Sequence, residues 1–324
     1  MRLAGVSALL LATLGLAGAA TAAAALPWAP GPVVQVRTFA DTGLRLGDVV
    51  RWGNRFAYIE ETTGEVQVGT LAGAGLQHVA AMPAVSEEFR CRTAPAGHGW
   101  DTAALYCHSP DNRIYRIGRD GKVSALAALP ETAPSDGAVA FDTVGRFGFA
   151  LLAATGRSGK QLPGGAVYSV KPDGSVERLF DYSGPGGAEN ALVAPVDFGS
   201  QAGSLLLTVD AQANGGRLLA LDPKGRETVL ARIGGDGLNP LAAIPRATSG
   251  VPAPGVYLTD TLSHKVFLVP GAALAQYAPG VLVGAEQRGW LFVVGPVGEQ
   301  YRTLRLRTTL KAPKFNLEGA TSVG

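Results

Sequence analysis

One strand pattern returns along the chain at intervals of about 48 to 53 residues, and this repeat limits the possible folds more than any other feature. It reads Glu65-Val66-Gln67-Val68, Arg113-Ile114-Tyr115-Arg116-Ile117, Ala166-Val167-Tyr168-Ser169-Val170, Arg217-Leu218-Leu219-Ala220-Leu221 and Lys265-Val266-Phe267-Leu268-Val269. Short apolar and aromatic runs of this kind, bounded by Gly, Asp, Asn and Pro clusters, belong to sheets. In three copies a tight turn follows directly: Arg119-Asp120-Gly121-Lys122, Pro172-Asp173-Gly174-Ser175 and Asp222-Pro223-Lys224-Gly225. Glycine there permits the positive φ that a hairpin between a third and a fourth strand requires. A sandwich has no reason to repeat one strand and one turn at this period. The repeat therefore predicts an all-β fold, a six-bladed β-propeller with four-stranded blades, ahead of a long sandwich or two smaller β domains.

The units are expected to start near Asp48, Phe89, Asp136, Val196, Asn239 and Val281. The sixth is traced through residues 280–284, 290–294 and 301–307 and lacks an evident outer strand. The early run over residues 33–39 has no partner of its own, and the reading has it supply that strand and close the ring by joining the chain ends. The propeller is expected over residues 33–311, after a short linker at 26–32. Residues 312–324 form either an extra strand or a tail.

Composition removes other classes. Of 324 residues, 47% are hydrophobic and 17% charged, which excludes disorder, and the 44 glycines have no triplet period, which excludes collagen. With 28 basic and 26 acidic residues well mixed, the net charge of +2 offers no footprint for nucleic acid. The first segment reads as an address. Arg2 is followed by an apolar stretch from Leu3 to Ala17 and a run of small residues from Ala19 to Ala25, the pattern of a secretory signal peptide ending near residue 25. A secreted or periplasmic protein is expected, without an integral span after cleavage. The alternative is an uncleaved N-terminal anchor. Cys91 and Cys107 flank a loop centred on Gly99, so a hairpin folded there sets them opposite each other as a cross-strand disulfide.

Two segments resemble a known family. Pro134-Ser135-Asp136-Gly137-Ala138-Val139-Ala140-Phe141-Asp142, followed by Gly145-Arg146 and an apolar strand, resembles the Pro-Asp-Gly opening strand of the regucalcin and gluconolactonase family. The stretch from Val256 to Val266 resembles a strand and turn common to that family and to NHL-repeat propellers. The resemblance implies one divalent cation, such as calcium, at the mouth of a central tunnel. Its counterparts here are Asp48, Asp136 and Asn239, with Asp136 as ligand and general base for lactone or ester hydrolysis. The pattern departs at three points: Asp48 stands in place of a Glu, Pro240 follows Asn239 in place of Gly, and the Asp-type unit precedes the Asn-type unit. Taken on their own, the same residues read as turn caps.

No other constellation points to a reaction. His78, His98, His108 and His264 lack the paired spacing of a zinc site; His98 and His264 fall in loops, and His108 is a candidate to face the tunnel. There is no Gly-x-Ser-x-Gly elbow and no phosphate-cradling loop. Glu60, Glu61, Glu87, Glu88, Asp101, Asp111, Asp197 and Asp210 read as solvated carboxylates near strand ends, and Tyr115, Tyr168 and Phe267 as packing between blades. Two functions follow. One is an exported, non-catalytic scaffold that binds a small molecule or an envelope protein at its tunnel mouth and loops, including residues 155–165 and 211–216. The other is a divalent-metal-dependent hydrolase of gluconolactonase type.

Overall fold

A computed structural model describes residues 31–83, 88–130, 136–156, 164–184, 186–210, 215–246, 253–310 and 314–324. The signal segment, Glu87 and most of the two loops named above lie outside these residues.

The chain opens with β1 (Arg37–Asp41) and then lays down four consecutive meanders, each forming one four-stranded antiparallel sheet. The first is β2 (Leu46–Trp52), β3 (Arg55–Glu60), β4 (Glu65–Thr70) and β5 (Gln77–Ala81). The second is β6 (Arg90–Thr93), β7 (Leu105–Ser109), β8 (Arg113–Ile117) and β9 (Val123–Ala128). The third is β10 (Gly137–Phe141), β11 (Leu151–Gly156), β12 (Gly165–Val170) and β13 (Val176–Tyr182), and the fourth is β14 (Gly187–Val193), β15 (Leu205–Asp210), β16 (Gly216–Leu221) and β17 (Glu227–Ile233). The recurring sequence motif is the third strand of each, and its pairing with the fourth strand carries a bulge in all four blades. Bulges sharpen the right-handed twist that a blade needs. The turns after β8, β12 and β16 hold Gly121, Gly174 and Gly225 at φ 78°, 84° and 77°, as their chemistry predicts.

The last two blades exchange strands. After β18 (Leu238–Ala243) the chain crosses to the neighbouring blade and forms the hairpin β19 (Gly255–Asp260) and β20 (Lys265–Pro270). It then returns to complete the fifth blade with β21 (Val281–Ala285), β22 (Leu291–Val297) and β23 (Gln300–Arg305). Finally β24 (Leu317–Val323) becomes the innermost strand of the sixth blade, in the order β24-β19-β20-β1. Both chain ends thus share one sheet. The expected closure by an N-terminal strand holds, but β1 covers the hairpin at 255–270 and not the strand at 300–305.

Two expected unit starts are corrected. Val281 opens the second strand of the fifth blade, because nothing local in a hairpin specifies which inner strand it pairs with. Val196 lies in the loop after β14 and is 73% exposed. The inner strand there is Gly187–Val193, whose Glu189 and Asn190 mask the apolar signature of a strand.

Apolar clusters fill all six contacts between neighbouring blades. Tyr115, Tyr168 and Phe267 lie in them, as expected of packing residues. Cys91 and Cys107 are directly opposed on β6 and β7, disulfide-bonded and fully buried. Among the described residues no helix is long and apolar enough to cross a membrane.

Candidate functional site: an acidic tunnel mouth built around Arg90

The six inner strands begin at the same end of the ring, and each delivers a polar side chain there. Asp48 comes from β2, Arg90 from β6, Asp136 from the residue before β10, Glu189 and Asn190 from β14, Asn239 from β18 and Glu318 from β24. Close approach of the first and last inner strands depends on Gly319: a Cβ at that position would lie 2.4 Å from Asp48 Oδ1 and 2.5 Å from its Cα.

Arg90 is the hub. Its side chain is fully buried, with 0% exposure, and all three guanidinium nitrogens donate. Nε donates to the Glu189 carbonyl at 2.9 Å and Nη1 to the Gly47 carbonyl at 2.9 Å. Nη2 donates to Glu318 Oε2 at 2.9 Å, to Asn239 Oδ1 at 3.1 Å and to Glu88 Oε2, and lies 3.8 Å from Glu189 Oε2. Burial works against the charge, but Glu88, Glu318, Asp48 and Glu189 outweigh it and hold the guanidinium firmly protonated. One internal cation on the second blade therefore ties the first, fourth, fifth and sixth blades to its own across the tunnel.

Two of the three residues expected to bind metal stand in this network. Asp48 Oδ1 accepts from the Val49 amide, and Oδ2 accepts from the Cys91 amide and from Arg92 Nη1, each at 2.9 Å. Burial raises the Asp48 pKa, with Arg92 and Arg90 opposing. Asn239 Oδ1 accepts from Arg90 and from Asn190 Nδ2 at 2.8 Å, while its Nδ2 donates to Glu318 Oε2 at 2.5 Å. A chain from Asp48 through Arg92 and Asn190 reaches Asn239, the Arg92–Asn190 link being 2.9 Å. Asp136 stands next to Gly187, and burial, Glu88 and the Asp136 charge together raise the pKa of Glu189. Asp48 Oδ2 and Asn239 Oδ1 each already accept two protein hydrogen bonds, so as arranged these two oxygens offer little free lone-pair density to a divalent ion.

Around this ring lies a second tier of acids from the neighbouring strand ends. Glu61 follows β3, Asp210 ends β15 and Glu286 follows β21. Gly237 separates the last two: a Cβ there would lie 2.6 Å from Asp210 Oδ1 and 3.0 Å from Glu286 Oε2. Burial and the Asp210 charge push the Glu286 pKa up to about 8. Burial, together with Glu88, also raises Glu61, and raises Glu189 and Glu318 well above the usual carboxylate range. Oxygens of Glu61, Glu88 and Glu318 lie within 4.8 Å of one another. The expectation that Glu61, Glu88 and Asp210 are ordinary solvated turn carboxylates gives way to a convergent cluster. Asp101, Asp111 and Asp197 are half-buried and lie apart from this cluster, paired with Arg116, Tyr115 and Arg246.

His108 is fully buried, and burial lowers its pKa to about 4, so it remains neutral. Its ring packs on Gly137, where a Cβ would come within 2.2 Å of it. The glycine of the Asp136-Gly137 pair thus makes room for an imidazole from the next blade. Sequence reading passed over Arg90, Glu189 and Glu318. The available signal was positional: each opens an inner strand as Asp48 and Asn239 do.

A solved structure of a protein from Lactobacillus plantarum is similar to the chain, with 10% identity and a TM-score of 0.43 over 84% of this chain and 71% of that one. No protein-family model and no curated protein matches.

Proposed function

We propose that this is an exported, non-catalytic binding propeller whose tunnel mouth receives a positively charged group of a small organic molecule. The observation that carries the reading is the surplus of acid around Arg90: Glu61, Glu88, Glu189, Asp210, Glu286 and Glu318 crowd a mouth whose only deeply buried cation is one guanidinium among the described residues. A rigid concave site rich in carboxyl groups, several of them holding protons because burial and their neighbours disfavour their charge, favours an ammonium or guanidinium ligand that takes the place of those protons. The N-terminal pattern and the buried disulfide support export.

Titration calorimetry with agmatine and cadaverine, with succinate as the anionic control, tests the reading. Binding of an amine that weakens about tenfold or more in Glu61→Gln/Glu88→Gln supports it. Failure of both amines to bind overturns it. The second reading is a divalent-metal-dependent lactone or ester hydrolase, favoured by the approach of Glu61, Glu88 and Glu318. One tightly bound calcium together with hydrolysis of a lactone or aryl ester would carry that reading instead.

A further inference from the structure

At the same end of the ring, outward from the mouth, a cavity of about 700 Å³ opens between the fifth and sixth blades. Its chemistry is opposite to that of the mouth. Arg288, Arg305 and Arg307 line it together with Trp290, Leu310 and Phe315. All three arginine side chains are exposed, and none of them forms an ion pair among the described residues. The Arg305 guanidinium carbon sits 3.7 Å from the Trp290 ring centroid and that of Arg288 4.6 Å. A guanidinium resting on an indole face is held in place, and its N–H edge stays free for a carboxylate or phosphate.

The walls are fixed by the backbone. Phe315 is buried against Gly289, where a Cβ would lie 2.3 Å from its ring. The Leu306 amide donates to the Leu291 carbonyl at 2.8 Å, and the Val34 amide to the Arg307 carbonyl at 2.7 Å. Asp236 accepts from the Gln287 and Arg288 amides and is turned to the backbone, and Glu286, two residues before Arg288, lies beside Gly237 with Asp210 at the mouth.

We propose that this rim cavity is a second binding site, specific for an organic anion with a flat apolar body, such as an aryl carboxylate or aryl phosphate. The anionic group meets the arginine edges, and the apolar body lies along the cavity wall beside Leu310 and the rim of Trp290. A volume of this size suits a small ligand, and bidentate guanidinium contacts supply orientation.

The test is titration of the purified protein with 2-naphthoate, followed by tryptophan fluorescence and calorimetry. Two controls are 2-naphthamide, which lacks the charge, and inorganic phosphate, which lacks the apolar body. Naphthoate is expected to bind at least about tenfold more tightly than either, and Arg288→Gln/Arg305→Gln to weaken it about tenfold or more with the thermal midpoint unchanged. Glu88→Gln in the mouth leaves this binding in place. Equal affinity for naphthamide, equal affinity for phosphate, or an unaffected double arginine variant would overturn the proposal.

Discussion

Protonation of single carboxyls sets how this molecule responds to pH. Glu286 is raised from 4.5 to about 8 because burial and Asp210 disfavour its charge. The folded state therefore keeps a proton that the unfolded chain releases. Its contribution to stability is full below about pH 4.5 and is lost as the pH climbs through about 8. Glu189 and Glu318 shift in the same direction and add to the trend. Thermal melts across this range should show the midpoint falling towards alkaline pH, with a shallower fall in Glu286→Gln, which is neutral throughout. An identical slope in the variant would contradict this. At this scale the sequence was half legible. Asp48, Asp136 and Asn239 announce themselves as acids and amides at strand starts, whereas Arg90 sits in an unremarkable Phe-Arg-Cys-Arg run. Only the third dimension shows that its charge is surrounded by Glu88, Glu189 and Glu318.

Among the strands, β24 matters most for the ring. It is the innermost strand of the sixth blade, it carries Glu318 to Arg90, and it buries Leu317 and Ala320 between blades. β1 is the outermost strand of the same sheet and is mainly exposed. Ending the chain at residue 316 should therefore abolish the cooperative unfolding transition, since it opens the ring and strips Arg90 of a counter-ion. Removing residues up to 41 should lower the midpoint and keep the transition. Calorimetric scans of the two truncations decide this, and equal behaviour would contradict it. Strands, hairpin turns and the disulfide were readable because each rests on local chemistry: alternation, a positive-φ glycine, two opposed cysteines. The exchange of hairpins between the last two blades was not, because 255–270 and 281–297 present similar edges and only long-range pairing chooses between them.

The molecule as a whole carries two opposed charge patterns on one face, an acidic mouth organised by a buried arginine and a basic aromatic cavity at its rim. The mouth's internal cation is the centre of this picture. Arg90 neutralises part of the carboxylate ring from within, and we propose that it joins the inner strands of five blades without an external ion. Removing one partner of a buried, hydrogen-bonded charge network typically costs about 3–5 kcal/mol. The most direct measurement is thermal unfolding of the wild type and Arg90→Met, each with and without calcium at about 1 mM. The wild-type midpoint should stay in place when calcium is added, and Arg90→Met should unfold at a clearly lower temperature. A wild type stabilised by one calcium ion, with Arg90→Met losing little, would contradict the picture and return the mouth to metal chemistry.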